Sequence, residues 1–300
     1  MKDTGMKIKL SVKIYFVVLV LISSLCGSVS AAGPWNYLRQ LPAADSGVKI
    51  TLPSALFIDA VAQRYYVVDA GLGQLVSFDK DGKFLAAFNA GGELKTPLSM
   101  ARTSTGVLWV VNRGDNKLLY INPRQQKVQH YQPSYPDGTV IRPAKVAVDA
   151  KNRLFVLDQR RGAILRLDDD LRVVRNYSGD ESFRGFVDFK LKGHDIWALD
   201  GLARKIYRFG DGNQFEQRIA LTGLQFPVAL EVDTAGQFYV LDRHAGTVEV
   251  FGPQGEKRFD FLGKGKRHGQ LWYPKDLLFD WDQRLCIVDE GNVRVDILTR

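Results

Sequence analysis

The 300 residues are 45% hydrophobic, which supplies a sizeable core for one large domain or two small ones. The formal charge is +8, but Lys2, Lys7, Lys9 and Lys13 against Asp3 put three of those charges near the N-terminus and leave about +5 for the rest. Such a mild excess argues against the concentrated basic stripe of a nucleic-acid binder.

In chain order, the first element is a secretory-type signal. Four lysines form a basic n-region, Ile14 to Leu25 form an apolar stretch too short to span a bilayer comfortably, and small residues follow from Gly27 to Ala32. Cleavage after Ser30, Ala31 or Ala32 fits equally well, so residues 1–32 are expected to be removed and 33–300 to act outside the cytoplasm, periplasmic or secreted. The alternative is an uncleaved membrane anchor. Cys26 is disfavoured as a lipidation site because bulky Leu25 precedes it where Gly or Ala is usual. Without that segment Cys286 is the only cysteine, which excludes an intrachain disulfide. Its setting in Leu285-Cys286-Ile287-Val288 reads as a packed thiol.

After a strand-like segment at Trp35 to Leu41, an internal repeat sets the fold. A four-residue apolar run ending in Asp or Asn recurs as YYVVD, LWVVN, LFVLD, IWALD, FYVLD and LCIVD, closing at Asp69, Asn112, Asp158, Asp200, Asp242 and Asp289. The intervals are 43, 46, 42, 42 and 47 residues. An upstream landmark, Pro followed by alternating apolar positions, begins at Pro53, Pro97, Pro143, Pro227 and Pro274, with Phe186 in the fourth copy. Each unit reads as four short strands; in the fifth they are Val228 to Val232, Phe238 to Leu241, Thr247 to Phe251 and Lys257 to Phe261. A lone four-stranded sheet cannot hide both faces, whereas radially packed sheets bury each other. The sixth copy has room for only three strands before Arg300. The expectation is an all-β, six-bladed β-propeller whose last blade is completed by the N-terminal strand.

Gly263, Gly265 and Gly269, then Tyr273-Pro274-Lys275-Asp276-Leu277, Asp280, Ile287-Val288-Asp289 and Asn292-Val293-Arg294-Val295 resemble the NHL repeat family. The resemblance extends from about Trp35 to Arg300 and implies fold more than function. The Asp or Asn after each second strand is expected to accept N–H groups in its turn. The family's second-turn Arg survives only as Arg294, with Lys117 and Lys205 as nearby substitutes.

Loops joining strands two and three, and those joining blades, emerge on one face of such a meander. That face would carry Arg113, Arg160, Arg161, Lys205, Arg243 and His244 from within the blades, and Lys145, Lys264, Lys266 and Lys275 from between them. Two residues after each opening Pro lies a second ring, Ala55, Ser99, Lys145, Asp188, Ala229 and Asp276, expected at the channel mouth. There Asp188 and Asp276 are candidates to hold a cation or to pair with Lys145.

Two function classes follow. One is a non-enzymatic binding or scaffold protein, monomeric and without a cofactor, whose basic loop face meets a protein or anionic polymer. The other is a metal-dependent small-molecule lyase or lactonase with its site in the channel, as six-bladed relatives imply. The scattered His130, His194, His244 and His268 argue against a three-histidine metal site. No serine sits in a nucleophile elbow, no C-x-x-C-H motif is present, and export sets RNA aside.

Overall fold

The computed structural model describes residues 35–212 and 214–300. The predicted signal segment, with Cys26 and the cleavage positions, lies outside them.

Six four-stranded antiparallel sheets succeed one another as blades. The chain opens with β1 (Asn36–Leu41), then blade 1 holds β2 (Pro53–Asp59), β3 (Arg64–Asp69), β4 (Gln74–Phe78) and β5 (Phe84–Phe88). Blade 2 holds β6 (Pro97–Arg102), β7 (Leu108–Asn112), β8 (Lys117–Asn122) and β9 (Lys127–Tyr131). Blade 3 holds β10 (Pro143–Val148), β11 (Leu154–Asp158), β12 (Ala163–Leu167) and β13 (Val173–Tyr177). Blade 4 holds β14 (Phe186–Lys192), β15 (Asp195–Asp200), β16 (Lys205–Phe209) and β17 (Gln217–Ala220). Blade 5 holds β18 (Pro227–Val232), β19 (Phe238–Asp242), β20 (Thr247–Phe251) and β21 (Lys257–Phe261). Blade 6 takes β22 (Asp276–Phe279), β23 (Leu285–Asp289) and β24 (Arg294–Thr299) from the end of the chain, with β1 as its fourth strand. The largest boundary shift is at β22, which starts at Asp276 rather than Pro274. Among the described residues no helix is long and apolar enough to cross a membrane.

The repeated apolar run exists because each second strand lies between two other blades. Side chains alternate across a strand, so odd and even positions go to different interfaces. In β23, Leu285 and Ile287 join the cluster shared with blade 5, while Cys286 and Val288 join the one shared with blade 1. In β19, Tyr239 and Leu241 face blade 6, whereas Phe238 and Val240 face blade 4. Each such side chain contributes roughly 1.5–3 kcal/mol by leaving water, and the six interfaces carry one cluster apiece.

The Asp or Asn ending each second strand does more than the turn bonding expected of it. Asp69 Oδ1 accepts from Gly71 N at 3.1 Å in its own turn and from Leu52 N at 2.9 Å in the segment arriving at the blade. Asn112 accepts from Lys95 N at 2.9 Å, Asp158 from Arg142 N at 3.0 Å, Asp200 from Arg184 N at 2.7 Å and Asp289 from Trp272 N at 2.8 Å. The side chain is thus a clamp between one blade and the loop that enters it, buried where an unpaired carboxylate would be costly. Arg294 supplements this clamp in blade 6. Its guanidinium donates to Arg267 O and Gln270 O, both at 3.0 Å, fixing the loop between blades 5 and 6. Elsewhere Gln74 bonds Lys49 O at 3.0 Å and Lys205 bonds Ser182 Oγ.

The ring closes where β1 pairs with β24 in the register Asn36↔Thr299 through Leu41↔Val295. Leu41 is buried between blades 6 and 1, and Trp35 between blades 5 and 6. The guanidinium of Arg300 lies 4.9 Å from the centroid of the Trp35 ring. Opposite β1, Asp296 is buried, and desolvation pushes its carboxyl up to about 6 despite Arg294 Nε at 2.9 Å. A carboxyl whose folded pKa exceeds its unfolded value binds its proton more tightly when folded. The stability it favours is therefore present below about pH 4 and declines as pH rises through about 6. Asp296→Asn is expected to raise the neutral-pH melting temperature by about 2–4 °C and to flatten the decline between pH 4 and 7, as followed by circular dichroism.

Candidate functional site

The inner strands β2, β6, β10, β14, β18 and β22 surround the channel, and their side chains divide it in two. On the face bearing the inter-blade loops, called here the loop face, lies a vestibule of about 190 Å³. Beneath the opposite face, formed by the hairpin turns, lies one of about 450 Å³. Ala55, Ser99, Lys145 and Asp276 line both, so the predicted ring forms a waist between the vestibules rather than a mouth.

The waist is filled by ion pairs. Lys145 Nζ bonds Asp188 Oδ1 and lies 3.7 Å from Asp276 Oδ1, which realises the Lys–Asp pairing expected from the sequence. Lys190, absent from that expectation, completes it. Its Nζ is 3.2 Å from Asp276 Oδ1, 3.8 Å from Asp188 Oδ2 and 2.9 Å from Leu277 O. Burial acts to lower the Lys190 pKa, but Asp188, Asp276 and Glu231 together hold its ammonium above the usual lysine range. For Asp276 burial acts upward, and Lys145 and Lys190 overcome it to hold the carboxyl below the usual range. Asp188 also accepts Leu230 N at 2.9 Å. The sequence signal for Lys190 was available: Asp188, Lys190 and Lys192 alternate along β14, so all three point toward the channel side.

These contacts change what the two aspartates offer a metal. Their inward oxygens already face ammonium groups, and among the described residues no set of three His, Cys, Asp or Glu side chains is placed to hold an ion. No histidine lines either vestibule. Chelation with EDTA is expected to leave the thermal midpoint unchanged; a fall of several degrees would assign a cation to the waist.

Above the waist the loop face carries the predicted basic residues in unequal settings. Arg113 and Lys275 line the upper vestibule, and Arg113 and Arg160 are exposed with no ion pair among the described residues. Arg243 Nη1 lies 3.3 Å from Glu290 Oε2, which Lys275 Nζ approaches at 3.7 Å. Burial lowers the Lys275 pKa; Glu290 opposes this, while Arg243 and Arg113 reinforce it. Arg161 stacks 3.9 Å over the Tyr135 ring and pairs with Asp137 at 3.3 Å. His244 stacks on Phe226, and Lys264 lies 5.4 Å from the Trp272 ring centroid and 5.6 Å from that of Tyr273. Lys205 and Lys145 are committed inward, to Ser182 and Asp188, and are not brought to the open surface with the others. The sequence reading placed Trp272 and Tyr273 on this rim but missed Leu72, Leu202 and Phe226, all exposed among these cations, Leu202 by 67%.

No protein-family model matches the chain, and no curated protein matches it. Solved structures do resemble it. A gluconolactonase from Xanthomonas campestris aligns with a TM-score of 0.64 at 12% identity, over 84% of this chain and 87% of its own. A streptogramin B lyase aligns at 0.61 and 12%, over 86% and 80%. An auxiliary nutrient binding protein from Bacteroides thetaiotaomicron aligns at 0.63 and 13%, over 88% and 72%. This chain is a six-bladed β-propeller. At such identities the likeness speaks for the propeller fold alone, and the chemistry has to be argued from the residues of this one.

Proposed function

We propose that the chain is an exported, NHL-type propeller, with residues 1–32 as a removed signal and 33–300 as the propeller, that binds an acidic partner protein through its loop face. The observation that carries this reading is the approach of Arg243 and Lys275 to one carboxylate, Glu290, at the upper vestibule, with Arg113, which has no ion pair among the described residues, beside Lys275. Two cations sharing one counter-charge, with a third beside them, favour an incoming carboxylate, which relieves their repulsion and the desolvation of Lys275. Around them Trp272, Tyr273 and Phe226 supply the aromatic area that usually anchors a protein interface. The filled waist leaves the upper vestibule shallow, which suits a protruding side chain of a partner.

The test is a pull-down from the extracytoplasmic fraction with the full chain and with a variant carrying Arg113→Ser, Arg160→Ser, Arg161→Ser and Arg243→Ser. Loss of a partner from the variant is expected, with the binding of that partner falling as salt rises. Identical partner sets would remove the loop face from consideration. The lyase or lactonase reading is favoured by one observation, the likeness to proteins described as a lyase and a gluconolactonase. Turnover of a gluconolactone or a streptogramin B by the purified chain would establish it in place of the binding reading.

A further inference from the structure

The larger vestibule does not end at the channel. It shares Lys192, Phe279 and Gln283 with an adjoining cavity of about 410 Å³. That cavity shares Asp195, Trp197 and Gly236 with a third, of about 380 Å³, over the boundary between blades 4 and 5. The three make one groove, running from the channel outward across the hairpin face, on the side away from the basic loops.

We infer that this groove binds an extended, uncharged glycan strand. Its charges are matched within the protein: Lys192 Nζ lies 2.7 Å from Glu231 Oε1, Arg208 Nη1 3.2 Å from Asp195 Oδ2, and Arg300 Nη2 3.4 Å from Asp233 Oδ2. An ionic ligand finds no uncompensated partner there and gives up its hydration without return. A sugar hydroxyl both donates and accepts, so it can add to a paired carboxylate or ammonium without breaking the pair. Gln217 and Gln254 in the third cavity, and Gln283 shared by the other two, offer amides with the same double capacity.

Aromatic rings are spaced along the groove. Trp281 and Phe279 border the vestibule, and Trp197, half-buried against Phe238 with ring centroids 5.1 Å apart, lies between the second and third cavities. The C–H face of a pyranose ring packs on such surfaces as other apolar groups do, and a succession of rings suits successive sugar units. A peptide is disfavoured by the topology. The groove crosses the turns between strands instead of following an outer strand, so no row of open N–H and C=O groups is available for strand addition.

The experiment is calorimetric titration of the full chain with uncharged hexasaccharides (cellohexaose, maltohexaose and N-acetylated chitohexaose), the anionic hexamer of galacturonate, and an extended uncharged Ser/Gln hexapeptide. At least one neutral hexasaccharide is expected to bind in preference to galacturonate. Its affinity is expected to fall about tenfold in Trp197→Ala. Gln283→Glu, at an exposed turn where folding is not at stake, is expected to weaken it as well, while Arg113→Ser on the other face leaves it unchanged. The inference is overturned if no neutral hexasaccharide binds at low-millimolar concentration, if galacturonate binds as well, or if the peptide binds and loses affinity in Trp197→Ala. Because the loop-face variant serves as the control, failure here leaves the partner-binding reading standing, and the reverse also holds.

Discussion

Lys190→Met is expected to lower the unfolding free energy by about 3–5 kcal/mol, the largest effect of any single substitution at the channel. Methionine keeps the length of the side chain and removes only the ammonium. What is left is a waist with two carboxylates, Asp188 and Asp276, and one cation, Lys145, in a place where Lys190 is 8% exposed and Asp188 3%. Asp276 retains Lys145 at 3.7 Å, but the site as a whole carries an uncompensated buried charge. The double variant Lys190→Met with Asp276→Asn restores neutrality and is expected to recover most of the loss, since matched removal of both partners is far less costly than removal of one. Urea unfolding of the two variants and of Asp276→Asn alone completes the cycle. Losses below about 1 kcal/mol in both single variants would mean that the pairs are solvated and do not act as a plug.

Removing β1 is expected to have the other large effect. A chain beginning after Leu41 loses five registered pairings to β24, and with them the side chains of Trp35 and Leu41 from two separate inter-blade clusters. Burial of those two side chains alone accounts for roughly 3–6 kcal/mol, and β24 becomes an open edge with Asp296 behind it. The expected result is loss of the single cooperative transition: blades 5 and 6 melt earlier than the rest, and intrinsic tryptophan fluorescence and far-ultraviolet circular dichroism cease to coincide. Coincident transitions in the truncated chain would show that blade 6 is held by its neighbours and not by closure. A synthetic peptide of the β1 sequence, added back, provides a further check on the pairing.

Much of this molecule is legible in its sequence because the repeat encodes it locally. The apolar run before each Asp needs only the alternation of a strand between two neighbours. The strands of blade 5 and the closing segment follow from the same pattern, with errors of one residue at Pro227, Asp242 and Trp35. The clamp role of Asp69 and its counterparts was half visible: its own turn is a local matter, whereas the bond to Leu52 crosses to another segment. The channel shows the same division. Lys145, Asp188 and Asp276 were marked by their common place in the repeat, while Lys190 stands two residues further along β14, marked only by its alternation with Asp188, and its partner Asp276 lies on β22 of blade 6. The groove was out of reach for a related reason. Trp197 and Phe279 sit at repeat positions that read as core, and nothing within one repeat reveals that adjoining blades leave space between them. On the loop face charge was legible, but not which cations are committed inward, as Lys205 is to Ser182.

The pairing of β1 with β24 also orders events in time. The first strand to be synthesised has as its partner the last, so no intermediate length of chain contains a closed ring. Until Arg300 is made, β1 has no β24 to pair with, and the closing contact spans nearly the entire sequence, which makes it the slowest kind to form. The consequence is a propeller that stays unclosed until β24 has been made. Any step that requires an unclosed ring therefore stays open to the polypeptide until β24 has been made.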